Sequence, residues 1–344
     1  MGAGETSLGM TSMRIHGVVL AGFFFAVSLS ASPTPSGEGD AATLQAEIHR
    51  IAVPSGGEVG VAAWRIDGRG PRVLVNADAS FPMASTFKVA VAGALLAKVD
   101  AGELALDHML PVDPAMYVES EVIAETLVHP GVNLSIYNLL DLMLTRSDNT
   151  ATDVLTAAVG GPEAVTAWVR KQGVNGLRVD RNTAGIVRDF FGLPKGIFSE
   201  ALAAALKADP KLEARGEHPN PAFEQDPRDT STPIAMAELL TRIFSGHALS
   251  PKSTAVLTTT LEHCHTSDNR FRARLPERTI VADKTGTLGG SVNDVGVITL
   301  PEGKGQIVLA VFIKKSDLPF AARERVIADV ARAVYDLYLF SPAL

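Results

Sequence analysis

Ser85 and Lys88, three residues apart in MASTFK, stand at the head of a stretch with helical spacing. Three residues is just under one helical turn, so the Lys88 ammonium and the Ser85 hydroxyl share a face. Free backbone N–H groups at a helix start favour negative charge, which puts Ser85 where an oxyanion would be stabilised. A serine becomes a nucleophile when a base takes its proton, and a lysine whose pKa is lowered by burial or neighbouring cations is such a base. Taken alone, the pair also fits an N-cap serine beside a solvated lysine.

Two further blocks carry chemistry. RSDNTATD places Ser147 and Asn149 at a second helix start, where Ser147 can relay a proton and the Asn149 amide can hold a carbonyl. Ser147 or Asp148 would equally serve as a cap. ADKTGT puts Lys284, Thr285, Gly286 and Thr287 on a strand: a cation and hydroxyls for a carboxylate, a glycine for close approach, and the Thr287 N–H as a second oxyanion donor beside that of Ser85. An exposed edge strand protected by lysine has the same composition. A second Ser-Asp-Asn at 267–269 has no helix start behind it and reads as a turn. His263, Cys264 and His265 lack a second group of ligands, so neither a metal nor another cofactor is expected.

The elements that must position these blocks are legible in outline. EVGVAAWRID (58–67) and PRVLVNAD (71–78) flank Gly68-Arg69-Gly70 as a hairpin, after a helix from about Ala41 to Ile51. Helical periodicity with glycine stops dominates the middle of the chain. Strand signal returns in TIVADKT, NDVGVITLP and QIVLAVFIKK, and an amphipathic helix from about Pro319 to Leu339 closes the chain. Strands at both ends with helices between them predict an α+β fold: an antiparallel sheet flanked by helices, with an all-helical part.

The chain has 344 residues, 46% of them hydrophobic and 20% charged, enough for a packed core. A net charge of −7 and the lack of basic runs with interleaved aromatics argue against a nucleic-acid partner. Met13-Arg14, the apolar run from Gly17 to Leu29 and the small residues Ser28, Ser30 and Ala31 read as a signal peptide over 1–31, with the start at Met1, Met10 or Met13. Residues 32–40 read as a disordered junction. Once the signal is removed, a periplasmic or secreted protein with no membrane span is expected. One cysteine, Cys264, excludes an intrachain disulfide.

In order and surroundings, S-x-x-K, S-D-N and K-T-G resemble the class A β-lactamases and penicillin-binding proteins. The likeness runs from about residue 41 to the end and includes DAGELALD (100–107), GGPEAVTAW (160–168) and RDTSTP (228–233). It implies a five-stranded sheet, with a sheet subdomain at 41–84 and 250–344 and a helical subdomain at 85–249. It also implies a monomeric serine hydrolase that β-lactams acylate at Ser85, with Lys88 as proton partner and Ser147 as proton shuttle. Asn149 would meet the acylamino group, Lys284, Thr285 and Thr287 the carboxylate, and Tyr117 a wall of the cleft. The alternatives on this resemblance are a D-Ala-D-Ala peptidase acting on cell-wall peptide and a non-catalytic β-lactam receptor.

The family carries its deacylating Glu on a short loop closed by an Arg–Asp ion pair, and here two alignments compete. Counting forward, Asp180-Arg181 opens the loop and Thr183 stands at the Glu position. Counting backward from Asp229, Asn220 matches the family's asparagine and Glu217 falls beside the Glu position, with Arg215 as the loop's arginine. That second alignment makes Glu217 the base and places an insertion ahead of the loop. The strand arginine of some relatives is missing from SVNDVGVI, leaving Lys314, Arg323 or Arg325 to replace it.

Overall fold

In the computed structural model, Met1 and residues 37–340 are described, apart from 121, 128 and 130. The apolar run read as a signal peptide lies outside them. Helix α1 spans Gly37–Ala52, so its first turn occupies part of the stretch expected to be disordered; Asp40 places negative charge near that helix start.

Five strands form one antiparallel sheet: β1 (Glu58–Arg65), β2 (Val73–Val75), β3 (Val281–Leu288), β4 (Ser291–Thr299) and β5 (Gln306–Lys314). Their spatial order is β2-β1-β5-β4-β3, so strands from the two ends of the chain meet at β1 and β5. This is the expected sheet, assembled from both termini. Strand alternation sorts its side chains onto two faces. Val59, Val61 and Ala63 with Leu309, Val311 and Ile313 face one apolar layer, which is completed by α1 and the final helix, α10 (Phe320–Phe340). Ala62 and Trp64 with Val308, Ala310 and Phe312 face the other.

The second layer is helical: α2 (Lys88–Asp100), α3 (Ile136–Thr145), α4 (Asn149–Val159), α5 (Pro162–Lys171), α8 (Pro233–Phe244) and α9 (Pro251–Glu262). Helix α2 is apolar on every side and runs buried through this layer from Lys88 to Leu96. Between α5 and α8 the chain builds α6 (Thr183–Phe191) and α7 (Phe198–Ala208), then two single helical turns at Leu212–Arg215 and Pro221–Glu224. Helices α6 and α7 and the turn Leu212–Arg215 share a small core of Leu193, Phe198, Leu202 and Leu212 with Val118. The principal core includes sheet and helix residues alike, and the described residues from Gly37 onward form one compact unit.

Gly93 on α2 lies under the Trp168 ring of α5; a β-carbon there would come within 2.2 Å of it. Gly93→Ala must therefore displace a packed indole. It is expected to lower the unfolding free energy by about 1–3 kcal/mol, measured by urea denaturation; an unchanged midpoint would show that Trp168 yields freely.

Candidate active site

Ser85 lies in the 3-10 turn Ala84–Phe87 that runs into α2. The residue before it, Ala84, has φ +45°. A non-glycine residue in this region costs about 1–3 kcal/mol and persists only where its surroundings enforce it. The enforcement is visible: Asn293 Nδ2 donates to the carbonyls of Pro82 (2.9 Å) and Met83 (3.0 Å), Thr86 Oγ1 donates to that of Met83 (2.8 Å), and Met83 N donates to Asp229 O (3.0 Å). Strand β3 closes against the same corner at Gly286, where a β-carbon would sit 2.7 Å from Met83 O and 3.0 Å from Ser85 N. Only glycine permits that approach, which brings the β3 backbone beside the Ser85 amide.

Lys88 is fully buried. Its Nζ donates to Ser147 O (2.7 Å) and Asn149 Oδ1 (2.8 Å) and lies 3.1 Å from Ser147 Oγ. Burial, reinforced by the nearby Lys284 charge, drives its pKa well below the ordinary lysine value, against the opposing pull of Asp148 and Asp153. An uncharged amine has two N–H donors and one lone pair. The two short contacts suit the donors, and the lone pair remains for a hydroxyl proton. Asp148 takes the capping role for α4, accepting from Ala151 N at 2.8 Å, so Ser147, at φ +57°, is left to face the cleft.

The cleft encloses about 260 Å³ between the start of α2, the α3–α4 junction and β3. Ser85, Ser147, Asn149, Thr285, Gly286 and Thr287 line it, with Ser120, Arg146, Thr266 and Arg270. Lys284 is buried on β3, donating to Thr285 O at 2.9 Å; burial lowers its pKa to about 8. Asn149 Nδ2 donates to Glu119 O at 2.8 Å, which leaves a second amide hydrogen for a ligand.

Arg270 is the cation that the sequence reading missed. The residue is 5% exposed, and its guanidinium donates to Thr287 Oγ1 (2.6 Å), Asn293 O (2.7 Å) and Gly286 O (3.2 Å), with Nε donating to Glu324 (3.2 Å). Phe271 N donates to Asp294 at 3.2 Å, fixing the loop that presents it. Burial and the neighbouring Asp283 hold the Asp294 carboxyl well above the usual carboxylate range. The three cations considered from sequence lie elsewhere: Lys314 donates to Ser80 O, Arg323 to Gly289 O and Glu217 O, and Arg325 pairs with Asp329. Arg270 directly follows the second Ser-Asp-Asn, the segment read as a turn, and its position there was the one available signal.

The long segment before Asp229 resolves the two alignments. Arg181 Nε meets Asp229 Oδ2 at 2.6 Å, and Asp229 Oδ1 accepts from Asp180 N (2.7 Å) and Arg181 N (3.0 Å). This pair closes the loop, so the extra helices lie inside it and not ahead of it. Arg215, the closing residue of the other alignment, pairs instead with Asp209. Thr183 is buried, and its N–H and that of Ala184 donate to Asp153 at 2.6 and 3.0 Å, making it the first residue of α6. Glu217 is exposed, on a segment whose Gly216 carbonyl accepts from Gly289 N beyond the cleft strand. Asn220 caps the turn Pro221–Glu224 and donates to Phe190 O at 2.8 Å. Neither residue lines the cleft. Tyr117 packs on the principal core, not in the cleft wall.

Comparison with known proteins matches residues 43–338 to the β-lactamase enzyme family. A β-lactamase of Rhodobacter capsulatus is 31% identical over 90% of this chain and 93% of its own. The Escherichia coli β-lactamase CTX-M-25 is 32% identical over 86% of this chain and 89% of its own. An ancestral class A β-lactamase structure superposes with a TM-score of 0.70 at 36% identity, covering 85% of this chain and 99% of that one.

Lys284 loses its proton as pH rises through about 8. Arg270→Ala is expected to raise KM for a carboxylate-bearing substrate roughly tenfold or more, as loss of a charge-assisted bond of about 1.5–3 kcal/mol implies. Because the Arg270 charge helps to lower the Lys284 pKa, the alkaline rise in KM of the variant should begin at higher pH than that of wild type. An unchanged KM would remove Arg270 from carboxylate binding.

Proposed function

We propose, from the premise that this chain belongs to the β-lactamase enzyme family and has the class A fold, that it hydrolyses β-lactams through an acyl-enzyme on Ser85. The observation that carries the mechanism is the fully buried Lys88 amine, one helical turn from Ser85 and 3.1 Å from Ser147 Oγ. In the proposed sequence the uncharged amine takes the Ser85 proton as Oγ attacks the lactam carbonyl. The N–H groups of Ser85 and Thr287 hold the resulting oxyanion, an arrangement that the close approach at Gly286 favours. Lys88 passes the proton through Ser147 to the lactam nitrogen, and the C–N bond opens. Lys284, Thr285, Thr287 and Arg270 hold the substrate carboxylate, while the free Asn149 N–H meets the acylamino carbonyl. The apolar run Gly17–Leu29 supports export to a compartment where such antibiotics are met, and we take the enzyme as a monomer that confers resistance.

The test is turnover of a chromogenic cephalosporin in large excess over purified protein. Sustained hydrolysis that Ser85→Ala abolishes is expected. A single stoichiometric burst would instead mark a penicillin-binding peptidase or a receptor.

A further inference from the structure

We infer that one proton relay, Lys88 with Ser147, serves both halves of the reaction: after opening the lactam it also activates the water that frees Ser85. This rests on the hydrolysis proposed above and names the group that completes it.

No carboxylate is found among the described residues that line the cleft. Asp148, beside Ser147, accepts from Ala151 N, Ile123 N and Ser120 Oγ, Glu119 is exposed, and five carboxylates of the long loop are engaged or exposed elsewhere. Asp189, Asp226 and Asp229 are gathered by Arg181, at 2.6, 3.3 and 2.6 Å. Glu224 accepts from Lys315 N at 2.9 Å, and Glu217 is exposed on the far side of the Gly289 turn. Asp153 is spent on two backbone N–H groups of α6. At the position from which a loop carboxylate would act, the chain begins a helix on a buried threonine.

Ser147, by contrast, lines the cleft together with Ser85 and stands beside the Lys88 amine. Acylation returns this relay to its starting state, because the proton taken from Ser85 leaves on the former lactam nitrogen. A water entering on the Ser147 side then gives a proton to Ser147 Oγ as that hydroxyl passes its own to Lys88. The water oxygen bonds to the acyl carbon, the ester C–O bond breaks, and Ser85 Oγ takes the proton back from Lys88. The net change is the addition of one water.

The charges facing Lys88 are Lys284 from β3, Asp148 from the α3–α4 junction and Asp153 from α4. A single base for both steps therefore leaves a mark in their pH dependence. Using a penicillin as probe, intact-protein mass spectrometry reads formation of the acyl-enzyme and, after free probe is removed, its decay. In wild type both rates should fall toward acid along the same limb. Asp153→Asn removes a charge that raises the Lys88 pKa, so both limbs should move together to lower pH. Ser147→Ala should slow decay of preformed acyl-enzyme by roughly 10²–10⁴-fold, the usual worth of a general base. Glu217→Gln should decay as wild type does. The relay is overturned if Asp153→Asn or Glu217→Gln acylates normally and stays trapped, or if the wild-type limbs separate. Absence on wild type of both mass gain and penicillin consumption would sink the hydrolytic reading together with the relay, whereas a trapped carboxylate variant sinks the relay alone.

Discussion

Burying an amine that forms no ion pair among the described residues is the constraint around which this molecule is arranged. Lys88 has no exposed surface and sits near a second buried amine, Lys284. A charged ammonium there would be desolvated at a cost of several kcal/mol. Two backbone or amide oxygens satisfy its N–H groups and leave the lone pair directed at hydroxyl chemistry. The apolar character of α2 on every side follows from the same need, since a helix that carries a lysine into the core must be surrounded by other elements.

Strained backbone brackets the amine on both sides. Ala84 precedes the nucleophile and Ser147 is the relay hydroxyl, and both have φ in the left-handed region. The strain at Ala84 is held by Asn293 from the sheet and by Asp229 from the closing pair of the long loop. Loop closure at Arg181 and Asp229 thus acts on the nucleophile itself: the residue that closes the loop also receives the Met83 amide. The inserted helices extend the loop while leaving this closure in place.

Much of this was legible in the sequence because spacing there maps directly onto geometry. Ser85 and Lys88 share a helical face whatever surrounds them, and the alternation in EVGVAAWRID and QIVLAVFIKK sorts sheet residues onto two faces. Spacing fails where the chain can lengthen. Two arginines, Arg181 and Arg215, stood at credible distances from the residues being aligned, and only packing shows which one reaches Asp229. Glu217 was a candidate because Arg215 and Asn220 flank it much as the family's loop residues flank its Glu, yet Asn220 serves as the cap of a short turn. Arg270 escaped notice because its reach to Thr287 depends on a loop held by the buried acid Asp294, a contact between residues far apart in the chain.

The charge on Lys88 is the point on which the chemistry turns, and it can be read without substrate. Lysine labelled with carbon-13 at Cε, assigned by comparison with Lys88→Arg, gives an NMR resonance that reports the proton on Nζ. The expected resonance titrates well below the ordinary lysine range, so that the amine is uncharged at the pH of turnover. A Lys88 resonance that remains that of an ammonium throughout that range would contradict the proposed activation of Ser85.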